Sequence, residues 1–532
     1  MPVLQAINLH YQFENGETLF RNLSVSMTQK RVGLVGRNGV GKSILASLLT
    51  KQFEPAVGSV QLNTSVAMYQ QIGDEYMLQQ TVADFLEMKD KLYAIEQIEQ
   101  GDCDPKWFDC VGDRWSLRAE LSYLLQQLQL PDSINLECKQ LSGGQLSRLQ
   151  LWKLFNSNAG LLVLDEPSNH LDSDGKQWLI EKIKSFSGYL LLISHDRSLL
   201  REVEQIWELS SLGLTQYGGN YDFYTEEKRK ESDAVARQLS SVKQQQKHLD
   251  KQAQKNKERA EQRAVAGKKL RKEGSQAKIL MDAMSNRASS SASRRAKNES
   301  HRQQQLQQKS RQLESKQEQL KAQKLKLSSE VKGNRTLVSL TNAELPYGSM
   351  KPINLTITGN SKLHLVGPNG SGKSTLLKVL RGDLALKAGE VRINTAVFYL
   401  DQHFNVLQAH SSILDNILNL CRGMNETKAR TLLAGIGLRK YKVHQGVNRL
   451  SGGEKMKLSM LIASNQPQQP LLLLDEPDNH LDIDSKDMLS DALLNYDSAL
   501  ILVSHDESFV KRCGLTTLTI PCIHSHQSIK QP

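Results

Sequence analysis

Cysteine is sparse and scattered. The six residues, Cys103, Cys110, Cys138, Cys421, Cys513 and Cys522, form no CxxC pair, so free thiols are expected rather than a zinc site or a disulfide framework. Long apolar runs are also missing. The longest, such as "LLVL" and "ALILV", have the length of a strand, not the ~20 residues that cross a bilayer, and no membrane span is expected. The opening "MPVLQAINLHYQF" has no basic stretch followed by an apolar one. No secretory signal is read there, and a cytoplasmic location is expected. Proline is absent from Glu226–Lys332, which removes the strongest helix breaker from a long stretch.

At 532 residues the chain exceeds what one hydrophobic core supports, and more than one domain is expected. Its 39% hydrophobic content is that of a soluble globular protein. The net charge of +11 is unevenly spread. Glu226–Lys332 holds 28 Lys and Arg against 13 Asp and Glu, while the rest holds 40 against 44. A basic segment on a nearly neutral body implies a polyanionic partner.

The chain also repeats itself. "LLVLDEPSNHLD" (Leu161–Asp172) returns 310 residues later as "LLLLDEPDNHLD" (Leu471–Asp482), with ten of twelve letters unchanged. "GRNGVGKS", "LSGGQ" and "ISHD" of the first half are matched by "GPNGSGKS", "LSGGE" and "VSHD" of the second, in the same order. Asp165 to His195 is 30 residues, and so is Asp475 to His505. This is a tandem duplication of one domain. Runs such as "RVGLVG" and "KLHLVG" read as buried parallel strands followed by helices, so each half is an α/β domain with its ligand beyond the strands' carboxyl ends. The expected domains are 1–224, 225–334 and 335–532.

In the middle segment Val235, Val242 and Leu249 recur at seven, with Leu239, Ala253 and Ala260 beside them. Leu306, Leu313, Leu320 and Leu327 recur likewise. Two helices with narrow apolar seams are expected to pair antiparallel as a coiled hairpin, with about 35 residues per arm and roughly 50 Å of reach. Its tip falls within Ala264–Ser300, around Ile279, Leu280, Met281 and Met284, and the segment is expected to face nucleic acid.

The G-x-x-x-x-G-K-S pattern after a strand is a phosphate loop. Gly36, Arg37, Asn38, Gly39, Val40 and Gly41 would turn backbone N–H groups toward one anion. Lys42 would reach the β- and γ-phosphates of ATP, and Ser43 would supply a hydroxyl to Mg²⁺. Gly367, Pro368, Asn369, Gly370, Ser371, Gly372, Lys373 and Ser374 repeat the set. Asp165 and Asp475, at strand ends, would orient Mg²⁺. Glu166 and Glu476 would polarise the attacking water, and His195 and His505 would contact the γ-phosphate.

With "LSGGQ" added, the residues resemble the ATP-binding cassette (ABC) ATPases. That resemblance implies that Ser142, Gly143, Gly144 and Gln145 serve the ATP held by Lys373 and Glu476, and that Ser451, Gly452, Gly453 and Glu454 serve the ATP held by Lys42 and Glu166. It also assigns Gln71 and Gln402 to Mg²⁺ and its water. Phe13 and Tyr347 are candidate adenine-stacking aromatics. More narrowly, "DEPSNHLD", "DEPDNHLD" and "YGGNYDFY" (Tyr217–Tyr224) resemble the ABC-F subfamily, tandem cassettes joined by a charged hairpin that act on ribosomes. The implied function is an ATPase whose two cassettes close within one chain, with the hairpin approaching tRNA or rRNA. Branched-DNA maintenance and the ATPase of a transporter are the alternatives. The sequence also departs from simple duplication. Lysine to signature spans 100 residues in the first half and 78 in the second, an excess too small for the full arm of some family members. Lys457 stands where the first half has Arg148.

Overall fold

The computed structural model describes residues 2–13, 16, 18–70, 75–169, 171–210, 213–272, 297–298, 300–314, 335–348, 351–367, 370–466, 470–479 and 481–520. By its internal contacts the chain divides into two units, Met1–Asp222 with Gln323–Pro532, and Phe223–Ala322.

The first half contributes β1 (Leu4–Gln12), β2 (Thr18–Met27), β3 (Arg31–Val35), β4 (Val57–Leu62), β5 (Val66–Tyr69), β6 (Leu161–Asp165), β7 (Tyr189–Ile193), β8 (Gln205–Ser210) and β9 (Gly213–Gly218). They form an antiparallel sheet β2-β1-β4 and a larger sheet β5-β6-β7-β3-β8-β9. In the larger sheet every pairing is parallel except β8 with β9. Leu161–Leu164 and Leu190–Ile193 are buried in unbroken runs, the mark of central strands covered on both faces.

The second half repeats this with β10 (Thr336–Glu344), β11 (Ile353–Thr358), β12 (Lys362–Val366), β13 (Ala388–Ile393), β14 (Val397–Leu400), β15 (Leu471–Asp475), β16 (Leu500–Val503) and β17 (Thr516–Thr519). The sheets are β11-β10-β13 and β14-β15-β16-β12-β17, so β14 to β17 match β5 to β8 strand for strand. In each half the phosphate loop leaves the strand next to the one that ends in "SHD", and the acidic strand lies one further out. The three motif-bearing segments therefore emerge side by side at one sheet edge.

The length excess of the first half has a definite place. Thr81 and Ser412 both cap helices, through Asp84 and Asp415, and sit in isolated bridges to Glu137 and Gly446. The next shared helix begins after Ser116 in the first half and after Asn425 in the second. Those intervals are 35 and 13 residues, which accounts for the 22 extra residues. They fold as a hairpin of helices Lys89–Glu99 and Pro105–Val111, with Leu92, Ala94, Ile95 and Val111 buried beneath it.

In the other unit the helix Tyr221–Lys272 runs 52 residues, longer than the arm expected from the seam. At 1.5 Å per residue it extends ~78 Å. With no proline and many good helix formers, nothing ends it where the apolar repeat fades. Residues 300–314 are helical and run against it, with Lys243 paired to Glu314 at 2.9 Å and Gln303 donating to Asp250 at 3.0 Å. Val235, Leu239, Val242 and Ser310 are buried, Leu249, Leu306 and Leu313 are half-buried, and Ala253 is exposed. The apolar tip cluster, Leu320 and Leu327 lie outside the described residues, as does the side chain of Ala260.

Candidate functional site

At the first site Lys42 opens the helix Lys42–Leu49 behind Gly41, whose φ of 94° suits glycine. Its Nζ donates to the carbonyls of Gly36 (2.8 Å) and Arg37 (3.3 Å) and to Asn38 Oδ1 (3.4 Å). Ser43 hydrogen-bonds the Asp165 carboxyl, which burial pushes up. Glu166 follows with φ 49°, and its counterpart Glu476 has φ 50°. Left-handed backbone in a non-glycine residue is uncommon and costs energy. Here it is held by the amides of Glu166 and Glu476, which donate to Ile193 O (2.8 Å) and Val503 O (2.9 Å) of the neighbouring strands. Burial raises Glu166 to about 7, against the pull of Lys42. His195 is 6% exposed; burial, with Lys42 and Lys486, holds it well below its ordinary value and so neutral. Its Nε2 lies 3.2 Å from Asn38 Oδ1 and 3.5 Å from Glu166 Oε1.

The second site repeats these parts. Lys373 Nζ donates to Gly367 O at 2.6 Å, and Ser374 hydrogen-bonds Asp475. Asp475 Oδ2 also accepts from Tyr399 at 3.1 Å. Burial, Asp475 and Asp478 raise Glu476, whose Oε2 accepts from Asn479 at 2.5 Å. Burial, with Lys373 and Lys176, lowers His505 to about 4. Its Nε2 is 3.7 Å from Glu476 Oε1. Glu166 Oε1, His195 Nδ1 and His505 Nε2 are buried without hydrogen-bond partners among the described residues. Such groups are rare in a finished interior and suit a site awaiting a polar ligand.

This duplicated geometry agrees with the sequence comparisons. The ABC transporter family model matches residues 20–169 and 350–479. YdiF of Bacillus subtilis is 30% identical over 98% of this chain and 81% of its own length. The chain belongs to the ABC-F proteins. It is an ABC ATPase built from two cassettes. The ribosome protection protein VmlR of Bacillus subtilis is 27% identical over 97% of this chain and 86% of its own. An archaeal ABCE1, solved in complex with the ribosomal stalk protein aP1, shares the fold with a TM-score of 0.56 at 17% identity, covering 96% of this chain and 87% of that one.

In this ABC-F chain the first phosphate loop meets the second cassette. Asn38 N–H donates to Asp482 Oδ2 at 3.0 Å, and Arg37 Nε lies 3.3 Å from Asp484 Oδ2. Lys457, on the second signature helix, is half-buried near Arg37, Asp482 and Asp484. Both signatures are capping boxes: Ser142 Oγ accepts from Gln145 N–H and Ser451 Oγ from Glu454 N–H, while each Gln or Glu side chain returns to the serine amide. The S-x-x-Q and S-x-x-E spacing carried that signal. Each box starts a thirteen-residue helix whose N-terminus suits an anion.

The remaining candidates are distributed unevenly. Gln402 is half-buried just after β14. Gln71, Pro368 and Asn369 lie outside the described residues. Phe13 is half-buried and packs edge-on to Tyr11 at 5.6 Å, and Tyr347 is 71% exposed. Among the described residues no cluster of three His, Cys, Asp or Glu could hold a metal by itself. A hydroxyl beside a carboxylate at each site fits Mg²⁺, which takes few protein ligands and completes its shell with water and phosphate. No described helix is long and apolar enough to cross a membrane.

Proposed function

We propose that this ABC-F ATPase is a cytoplasmic, monomeric factor that acts on the ribosome. ATP drives closure of the cassettes 1–224 and 335–532, and the basic segment 225–334 is carried toward tRNA or rRNA. One observation carries the ribosome reading: a basic segment, 28 cations against 13 anions, joins the cassettes of a chain 27% identical to a ribosome protection protein. Dense phosphate is what such a segment would meet on RNA.

The residues divide the work as follows. Lys42 and Lys373, with the loops Gly36–Ser43 and Gly367–Ser374, grip the phosphates of ATP. Ser142–Gln145 and Ser451–Glu454 complete each site from the opposite cassette. Ser43 with Asp165, and Ser374 with Asp475, would hold Mg²⁺ together with Gln71 and Gln402; the ion would neutralise charge on the β- and γ-phosphates. Glu166 and Glu476, both raised by burial, accept the proton of the attacking water, and Glu166, at about 7, is well matched to that task. His195 and His505, kept neutral, meet the γ-phosphate as donors.

The experiment pairs Glu166→Gln with Glu476→Gln. This variant should bind ATP, hydrolyse it at most marginally, and co-sediment with ribosomes in an ATP-dependent manner. If it binds ATP yet sediments free of ribosomes, the ribosome reading is wrong. The ATPase assignment would stand.

A further inference from the structure

Between the two active sites lies a cavity lined by Glu166, His195, Glu476 and His505 from the sites themselves and by Lys176, Asp196 and Lys486, the last of these paired to Asp506. The last four are two copies of one lysine–aspartate pair, each 310 residues apart. Lys176 Nζ lies 3.0 Å from Asp196 Oδ2 within the first cassette, and also donates to the carbonyl of His505 in the second at 3.1 Å. Lys486 Nζ lies 2.9 Å from Asp506 Oδ2 and 4.0 Å from Asp478 Oδ2. The side chains of Lys176 and Lys486 are 16% and 11% exposed. A lysine so buried, four residues past the acidic motif, is not solvating a helix face.

Each aspartate directly follows a site histidine and caps the next helix, Asp196 through Ser198 N–H at 2.9 Å and Asp506 through Phe509 N–H at 3.0 Å. Burial pushes the Asp196 carboxyl up. Lys176, then Lys486 from the other cassette, bring it below its ordinary value against repulsion from Asp506. The four charges thus act on one another as a ring.

We propose that Lys176 and Lys486 are positioning residues that couple the two ATP sites. Lys176 ties the backbone of His505 to Asp196, the neighbour of His195. A displacement of either histidine loop is therefore transmitted to the other through one ammonium group. Lys486 closes the ring from the opposite side. Asp478, where the first cassette has Ser168, adds a carboxyl to that side.

The test is a mutant cycle on ATP turnover by the full chain. In the native background, Glu166→Gln or Glu476→Gln should each lower turnover by clearly more than two-fold, because the intact site depends on its partner. In the Lys176→Met background the same changes should cost only about two-fold, the value for two independent sites. A purely structural role for Lys176 would lower all rates together and leave the ratio as in the native protein. That outcome overturns the proposal, as does a two-fold loss in the native background. Should Lys176→Met fail to fold, Lys176→Gln is carried through the same cycle under the same criterion.

Discussion

His505 should make the second cassette sensitive to mild acid. Its folded value of about 4, set first by burial and then by Lys373 and Lys176, is well below the ordinary 6.5. Above pH 7.5 the ring is neutral whether the chain is folded or not, and it contributes nothing to pH dependence. As pH falls below 6.5 the unfolded histidine takes a proton that the folded one refuses, so stability is lost. At pH 5 the loss is about 2 kcal/mol, and it levels off near ~3 kcal/mol below pH 4. The side chain is 19% exposed, so solvent screening leaves most of this in place. Hydrogen exchange of β16, measured at pH 7.5 and pH 5 and corrected for intrinsic rates, reads the local opening free energy. His505→Gln keeps a polar side chain that does not titrate. Between those pH values the native protein should lose about 2 kcal/mol more protection than the variant. Equal losses in both would show that His505 does not carry the depressed value.

Arg148→Lys should destabilise the first cassette by about 1.5–3 kcal/mol, because a single ammonium lacks the separated N–H groups with which the guanidinium spans both partners. Arg148 donates at 2.6 Å to both Asp172 and Gln129, and only 8% of its side chain is exposed. Trp107, Trp115, Trp152, Trp178 and Trp207 all lie in the first half, so fluorescence-monitored urea unfolding reports that cassette alone. Gly36→Ala should remove ATP binding from the first site and leave the second, lowering the bound stoichiometry from two nucleotides to one. A Cβ on Gly36 would stand 2.3 Å from Leu209 O at a φ of 155°; equilibrium dialysis settles the count.

The phosphate loops, acidic strand ends and "SHD" histidines were legible because each motif fixes residue type and spacing within one strand–loop unit. The 22-residue excess was visible as a length, but its placement needed the caps at Thr81, Ser116, Ser412 and Asn425 to align the halves. The apolar repeat of the middle segment understated the helix Tyr221–Lys272, since helix propensity carries a chain past the point where its seam ends. Lys176 and Lys486 escaped notice for a different reason. A lysine in a polar helical turn reads as solvated, and the partners that bury it come from distant strands and, for Lys176, from the other cassette.

The duplication supplies its own control on what the two sites share. Their motif residues are the same, down to the left-handed glutamates at φ 49° and 50°. Their surroundings are not. Glu476 is tethered by Asn479 and Asp475 by Tyr399, while Met68 occupies the register of Tyr399 in the first sheet. Across the cassettes Arg37 faces Asp484, and Arg197 pairs closely with Asp487. Under the repeat, the reciprocal pairs would be Pro368 with Asp174 and Glu507 with Gln177, and neither can form an ion pair. Ion pairs of this exposure contribute up to about 1 kcal/mol each. Two of them on one side are enough to make the halves of the interface unequal in strength while the chemistry at each stays the same.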